Sequence, residues 1–110
     1  MNAPEVGPLF LDAAEEFIRI NVRGMGAVGL QLSGTFVGTV SFECLVDGEA
    51  AMVALNMLPP NRATAASSAT AAGVWVANVA GLETVQIRVS AYTSGTIRAK
   101  LIACAASGRY

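Results

Sequence analysis

Apolar and polar positions alternate with a period of two from Phe17 almost to the C-terminus. Ile18, Ile20 and Val22 alternate with Arg19, Asn21 and Arg23, and Val28, Leu30 and Leu32 with Gly29, Gln31 and Ser33. Val40, Phe42, Cys44 and Val46 share one phase, and Val85, Ile87, Val89 and Ala91 share another. Ile97, Ala99, Leu101 and Ala103 alternate with Arg98, Lys100 and Ile102, while Val53, Leu55 and Met57 form a shorter run. Such alternation marks strands with one face on a core. Val40, Phe42, Cys44, Val46, Val85, Ile87 and Val89 are therefore expected in a single core.

The breaks fall where strands should turn. They are Gly24 to Gly26, Ser33-Gly34, Asp47-Gly48, Pro59-Pro60-Asn61, Ala72-Gly73, Ala80-Gly81 and Ser94-Gly95. Glycine reaches positive φ without a steric penalty, and Asp before it suits a tight hairpin. About eight short strands separated in this way predict an all-β fold, an antiparallel sandwich, jelly roll or small barrel. The alanine-, serine- and threonine-rich stretch from Asn61 to Ala72 reads as a polar edge strand or loop. Its hydroxyls compete with helical hydrogen bonding, and Pro59-Pro60 stops a helix running in from Met57.

Residues 1–16 differ from the sandwich domain expected over 17–110. Pro4, Gly7 and Pro8 break structure early, and Leu9 to Phe17 has room for one or two helical turns. A disordered terminus is the simplest reading of a chain end. Leaving Leu9, Phe10 and Leu11 in water is costly, however, since burying each contributes about 1.5–3 kcal/mol. The expectation is an extended arm that anchors the protein on a neighbour through these three residues.

Composition narrows the class. The 110 residues suffice for one domain, and 54% are apolar while only 14% are charged, against about 25% charged in an ordinary soluble domain. Mean hydropathy is +0.53. Apolar surface in such excess points to contact with other protein and to a homo-oligomer. The net charge of −1, with scattered basic residues, speaks against nucleic acid as a partner. Gly, Ser, Thr and Asn interrupt every apolar run before about 18 residues, which argues against a membrane helix. Residues 1–17 hold Glu5, Asp12, Glu15 and Glu16 and no Lys or Arg, so no signal peptide is expected and the protein should be made and used in the cytosol. Cys44 and Cys104 are expected as free thiols.

Catalytic chemistry has little to work with. Histidine is absent and the single lysine, Lys100, sits in an alternating strand. A nucleophile activated by a neighbouring base cannot be assembled from these residues. Two cysteines without histidine do not make a zinc site, and Gly24-Met25-Gly26 with Gly29 lacks the context of a nucleotide-binding loop. Asp47 reads as turn chemistry, and Asp47 with Glu49 falls short of the six or more oxygens calcium requires. Glu43 is expected to pair across strands with Arg88 or Arg19. Trp75 and Tyr92 are candidate interface residues that could instead stack on a sugar. No catalytic residue, cofactor or metal ligand is assigned.

The ordered set Gly38-Thr39-Val40-Ser41-Phe42-Glu43, Asp47-Gly48, Gly73, Trp75, Val79-Ala80-Gly81, Val85-Gln86-Ile87-Arg88-Val89 and Tyr92-Thr93-Ser94-Gly95-Thr96 resembles a β-sandwich module of tailed-bacteriophage virion proteins. That module occurs in head-decoration (cement) proteins and in fibre-like components, and the resemblance covers roughly residues 36–106. Ala50, Ala51 and Met52 stand where such modules carry an aromatic residue, which removes support for a ligand contact at that hairpin.

The resemblance implies a non-enzymatic capsid decoration protein, a homotrimer on the capsid surface of the virion, assembled in the host cytoplasm and bound to the major capsid protein. The alternative is a tail or fibre module that binds a host-surface glycan through Trp75 and Tyr92. A stand-alone 110-residue chain lacks the shaft or hub that a fibre needs, which favours decoration.

Overall fold

In a computed structural model that describes residues 5–46, 48–59 and 64–105, the chain folds into two antiparallel sheets packed face to face. Nine strands occur among the described residues: β1 (Glu5–Leu11), β2 (Phe17–Asn21), β3 (Ala27–Ser33), β4 (Phe36–Leu45), β5 (Val53–Ala54), β6 (Ser68–Ala69), β7 (Gly73–Asn78), β8 (Thr84–Gly95) and β9 (Ile97–Cys104). The first sheet runs β1-β9-β3-β7. The second runs β2-β8-β4-β5, with β6 also paired to β4. The expected all-β sandwich is what forms. Among the described residues no helix is long and apolar enough to cross a membrane.

A single bent ribbon organises both sheets. β3 pairs with β9 from Ala27↔Cys104 to Ser33↔Arg98, and the same register continues into the second sheet at Phe36↔Gly95. Ser33-Gly34 and Ser94-Gly95 are therefore not hairpin turns within a sheet. They are two adjacent corners at which the paired strands cross together from one sheet to the other, a bend seen in packed β-sheets. Gly34 and Gly95 have φ of 95° and 93°, and the Thr96 amide donates to the Thr35 carbonyl at 3.2 Å to join the corners. Two register shifts, at Val37/Gly38 and Thr39/Val40, twist the ribbon further.

The inward phase of each strand makes one core. Val40, Phe42, Cys44, Val85, Ile87 and Val89 are buried as expected, together with Ile97, Ala99, Leu101 and Ala103. Val46 is not. It lies past the end of β4, where the pleat no longer dictates its direction, and is 49% exposed. The run at Val53, Leu55 and Met57 pairs for only two residues. Met57 is nonetheless fully buried, held by reciprocal backbone hydrogen bonds with Ala66 at 2.8 and 2.9 Å. The polar stretch after Asn61 supplies edge strand β6, as anticipated, although Asn61, Arg62 and Ala63 lie outside the described residues.

The largest correction concerns the N-terminus. Residues 5–11 are neither helical nor set apart from the sandwich, because β1 is an edge strand paired to β9. The pairing accommodates Pro8 through a register shift between Val6 and Leu9. Local sequence carries no trace of this, because the partner strand lies about ninety residues downstream. Leu11 is 4% exposed in the core of its own subunit and has no surface left to offer as an anchor, whereas Leu9 and Phe10 are 45% and 64% exposed.

Candidate functional site

The two outer faces differ in chemistry. On the second sheet, Arg19, Gln86 and Glu43 occupy one row across β2, β8 and β4, and Phe17, Arg88 and Ser41 occupy the next. Arg19 Nε donates to Gln86 Oε1 at 2.9 Å, and Gln86 Nε2 donates to Glu43 Oε1 at 2.8 Å. Arg88 reaches Glu43 diagonally, with Nη2 3.0 Å from Oε2, and extends Nη1 to Glu15 Oε2 at 3.2 Å. Arg19 also lies over the Phe17 ring, 4.9 Å from its centroid. Glu43 therefore takes Arg88 as its ionic partner and meets Arg19 only through Gln86.

The Arg88 guanidinium holds the Glu43 carboxyl below the usual carboxylate range, outweighing the opposing effect of burial. Glu43 in turn raises Arg88. A general acid needs its pKa pushed the other way. This face is a polar clamp across three strands, and Ser41 Oγ, donating to Ser90 Oγ at 2.8 Å, continues it.

The outer face of the first sheet is apolar at its centre. Its middle row runs Glu5–Ile102–Gly29–Val76, and Val76 bridges on to Leu58. Val74 pairs with Gln31 one row away and shares that face. Ile102, Val76, Val74 and Leu58 are all exposed, at 39–43%. Gly29 adds no side chain between Ile102 and Val76, so the centre of the row is flat. Charge is confined to the β1–β9 side, where Lys100 Nζ binds Glu5 Oε1 at 2.8 Å beside Arg98. A contiguous apolar patch on a small protein commonly marks a contact surface.

Two residues expected at an interface are committed elsewhere. Trp75 points inward from β7 and packs on Phe42 of the opposite sheet, with ring centroids 5.5 Å apart. Tyr92 packs against the core, and its hydroxyl donates to the Gly95 carbonyl at 2.7 Å. They stand in different sheets and do not form one platform. The sequence reading missed Leu58, Val74, Val76 and Ile102. The available signal was an apolar residue in the polar phase: Ile102 after Arg98 and Lys100, and the two valines flanking Trp75.

Cys44 is buried, which pushes its thiol pKa up, and Cys104 is exposed on the apolar face; both are free. Among the described residues no group of three or more His, Cys, Asp or Glu side chains could hold a metal. Asp47, half of the weak calcium candidate, lies outside the described residues.

The fold has a solved counterpart. The crystal structure of the SPBc2 prophage-derived protein YomS superposes with a TM-score of 0.71, over 93% of each chain and at 16% identity. At that identity the likeness is one of fold. A protein of Bacillus endospore appendages, described as disulfide-linked pili, aligns over 96% of this chain and 93% of its own, with a TM-score of 0.37 and 14% identity, too low for a shared fold to be argued. No protein-family model matches the sequence, and neither does any curated protein.

Proposed function

We propose that this chain is a non-catalytic structural protein of a tailed-phage particle, a capsid decoration (cement) protein that lies on the shell through the apolar outer face of its first sheet. The observation that carries this reading is the contrast between the two faces. One is closed by the Arg19–Gln86–Glu43–Arg88 network, and the other presents Ile102, Val74, Val76 and Leu58 around a glycine. A molecule built this way suits a position between an apolar lattice surface and water. The fold it shares with a prophage-derived protein supports the same reading.

Decoration of this kind acts by mass action. A protein that binds the assembled lattice and not free capsid subunits stabilises the shell by its binding free energy. Repeated attachment multiplies contacts that are individually weak. The partner is the major capsid protein, and assembly takes place in the host cytoplasm. The glycan-binding alternative needs Trp75 and Tyr92 free to stack on a sugar, and both rings are engaged in packing, so no observation favours it. Projection maps of intact particles labelled on this chain test the proposal. Density over the head supports it, and density confined to the tail or fibres refutes it.

A further inference from the structure

The two sides of the sandwich are closed differently. Beside β4 and β7, the segment after β5 bridges to β7 through Leu58–Val76 and to the residues just before β6 through Met57–Ala66. On the other side lie the edges of β1 and β2, which contact one another across the sandwich. β1 is a poor template for a further strand, because Pro8 has no amide hydrogen and the register shifts beside it. β2 has neither defect.

Val22 donates to the Glu83 carbonyl and Val89 to that of Glu16, and this parity turns the backbone groups of Ile18 and Ile20 towards β8. The amides and carbonyls of Phe17, Arg19 and Asn21 then face outward, and among the described residues β2 pairs with no strand but β8. Phe17, 49% exposed, stands on this edge, and the exposed Leu9 and Phe10 lie on the neighbouring β1.

We infer that the free edge of β2 pairs antiparallel with β2 of a second copy of this chain, joining two charged sheets into one. Charge order selects both the occupant and the direction. On the outward parity the segment carries Glu15 at its start, Arg19 at its middle and Arg23 at its end. Antiparallel pairing about a twofold axis at Arg19 sets Glu15 of each copy against Arg23 of the other, twice. Against this stands a single Arg19–Arg19 approach, eased because each Arg19 is turned to Gln86 of its own subunit. Parallel pairing would oppose like charges. The Arg23 and Glu15 side chains are 60% and 70% exposed and already engaged within their own subunit, so they need only extend those contacts to reach a partner. The contact buries little area, so association belongs to the weak class and becomes visible at high concentration.

An isologous contact closes at two copies, whereas the resemblance to decoration proteins implies three. Sedimentation equilibrium of the full chain at about 100–500 µM should give twice the 11.3 kDa chain mass. Arg23→Glu and Glu15→Lys, each checked for native circular dichroism, should each weaken self-association by about tenfold or more. Mixing the two variants should restore the dimer, because both opposed end pairs are then of opposite sign. A monomer throughout that range, a trimer, or variants that dimerise like the parent without gain on mixing would overturn the inference. Binding to phage heads enters none of these measurements, so this contact and the decoration reading fail separately.

Discussion

Phe42 and Trp75 meet across the sandwich with ring centroids 5.5 Å apart and planes inclined at 57°. Phe42 comes from β4 and Trp75 from β7, so the pair ties the second sheet to the edge strand of the first. Gly73 makes room for it, since a Cβ there would stand 2.8 Å from the indole Cη2. Phe42 is fully buried, and Phe42→Ala should cost about 3–5 kcal/mol in chemical denaturation. Gly73→Ala should displace the indole and shift the emission of the single tryptophan with a smaller loss of stability. Unchanged emission would place the ring elsewhere.

The Glu43–Arg88 pair makes stability depend on pH with a definite sign. The Glu43 pKa is lower in the folded than in the unfolded chain, so its contribution is fully present above the ordinary carboxylate range. It is lost as pH falls out of that range and through the lowered folded value. Glu43→Gln should lower stability near pH 7 by about 1–2 kcal/mol, between the values for surface and buried charged hydrogen bonds. It should also flatten the acid limb of the stability profile. Denaturant midpoints measured from pH 7 down to pH 3 compare the two proteins.

The corner glycines differ from the loop glycines in a measurable way. Gly95 and Gly24 both have positive φ, at 93° and 81°. An added Cβ at Gly95 collides with the Thr35 carbonyl oxygen, whereas at Gly24 it meets nothing within 4 Å. Gly24→Ala should cost about 1 kcal/mol from backbone conformation alone, and Gly95→Ala about 2–3 kcal/mol because the corner must also open. Equal losses in thermal unfolding would contradict the sheet-crossing bend.

The sequence made the strands and the core face readable because Val85, Ile87 and Val89, or Leu30 and Leu32, follow the pleat locally. It did not reveal the partner of β1, since Leu9-Phe10-Leu11 has no alternation and Pro8 argues against a strand. Only the long-range register with Ile97 and Ala99 decides that segment. The Glu43–Arg88 pair was legible as complementary charges on two alternating strands. The apolar outer face was not, because Leu58, Val76 and Ile102 are distant in sequence and meet only through pairing to β3 and β7.

The placement of β1 changes what truncation should do. Deleting residues 1–11 removes an edge strand and the buried Leu11, so the product should be destabilised by several kcal/mol and not merely detached from a partner. Leu9→Ser with Phe10→Ser leaves the pairing intact and should unfold within about 1 kcal/mol of the parent. Equal stability of the truncated and full-length chains would show that β1 adds nothing to the sandwich.

The decoration reading is tested most directly by co-sedimentation of the purified protein with emptied, expanded tailed-phage heads. The wild-type chain should pellet saturably with the heads. Val76→Glu, which sets a charge in the middle of the exposed apolar row, should stay folded and bind at least about tenfold more weakly. Wild-type protein that remains in the supernatant at saturating heads, or Val76→Glu that binds as well as its parent, would contradict the account.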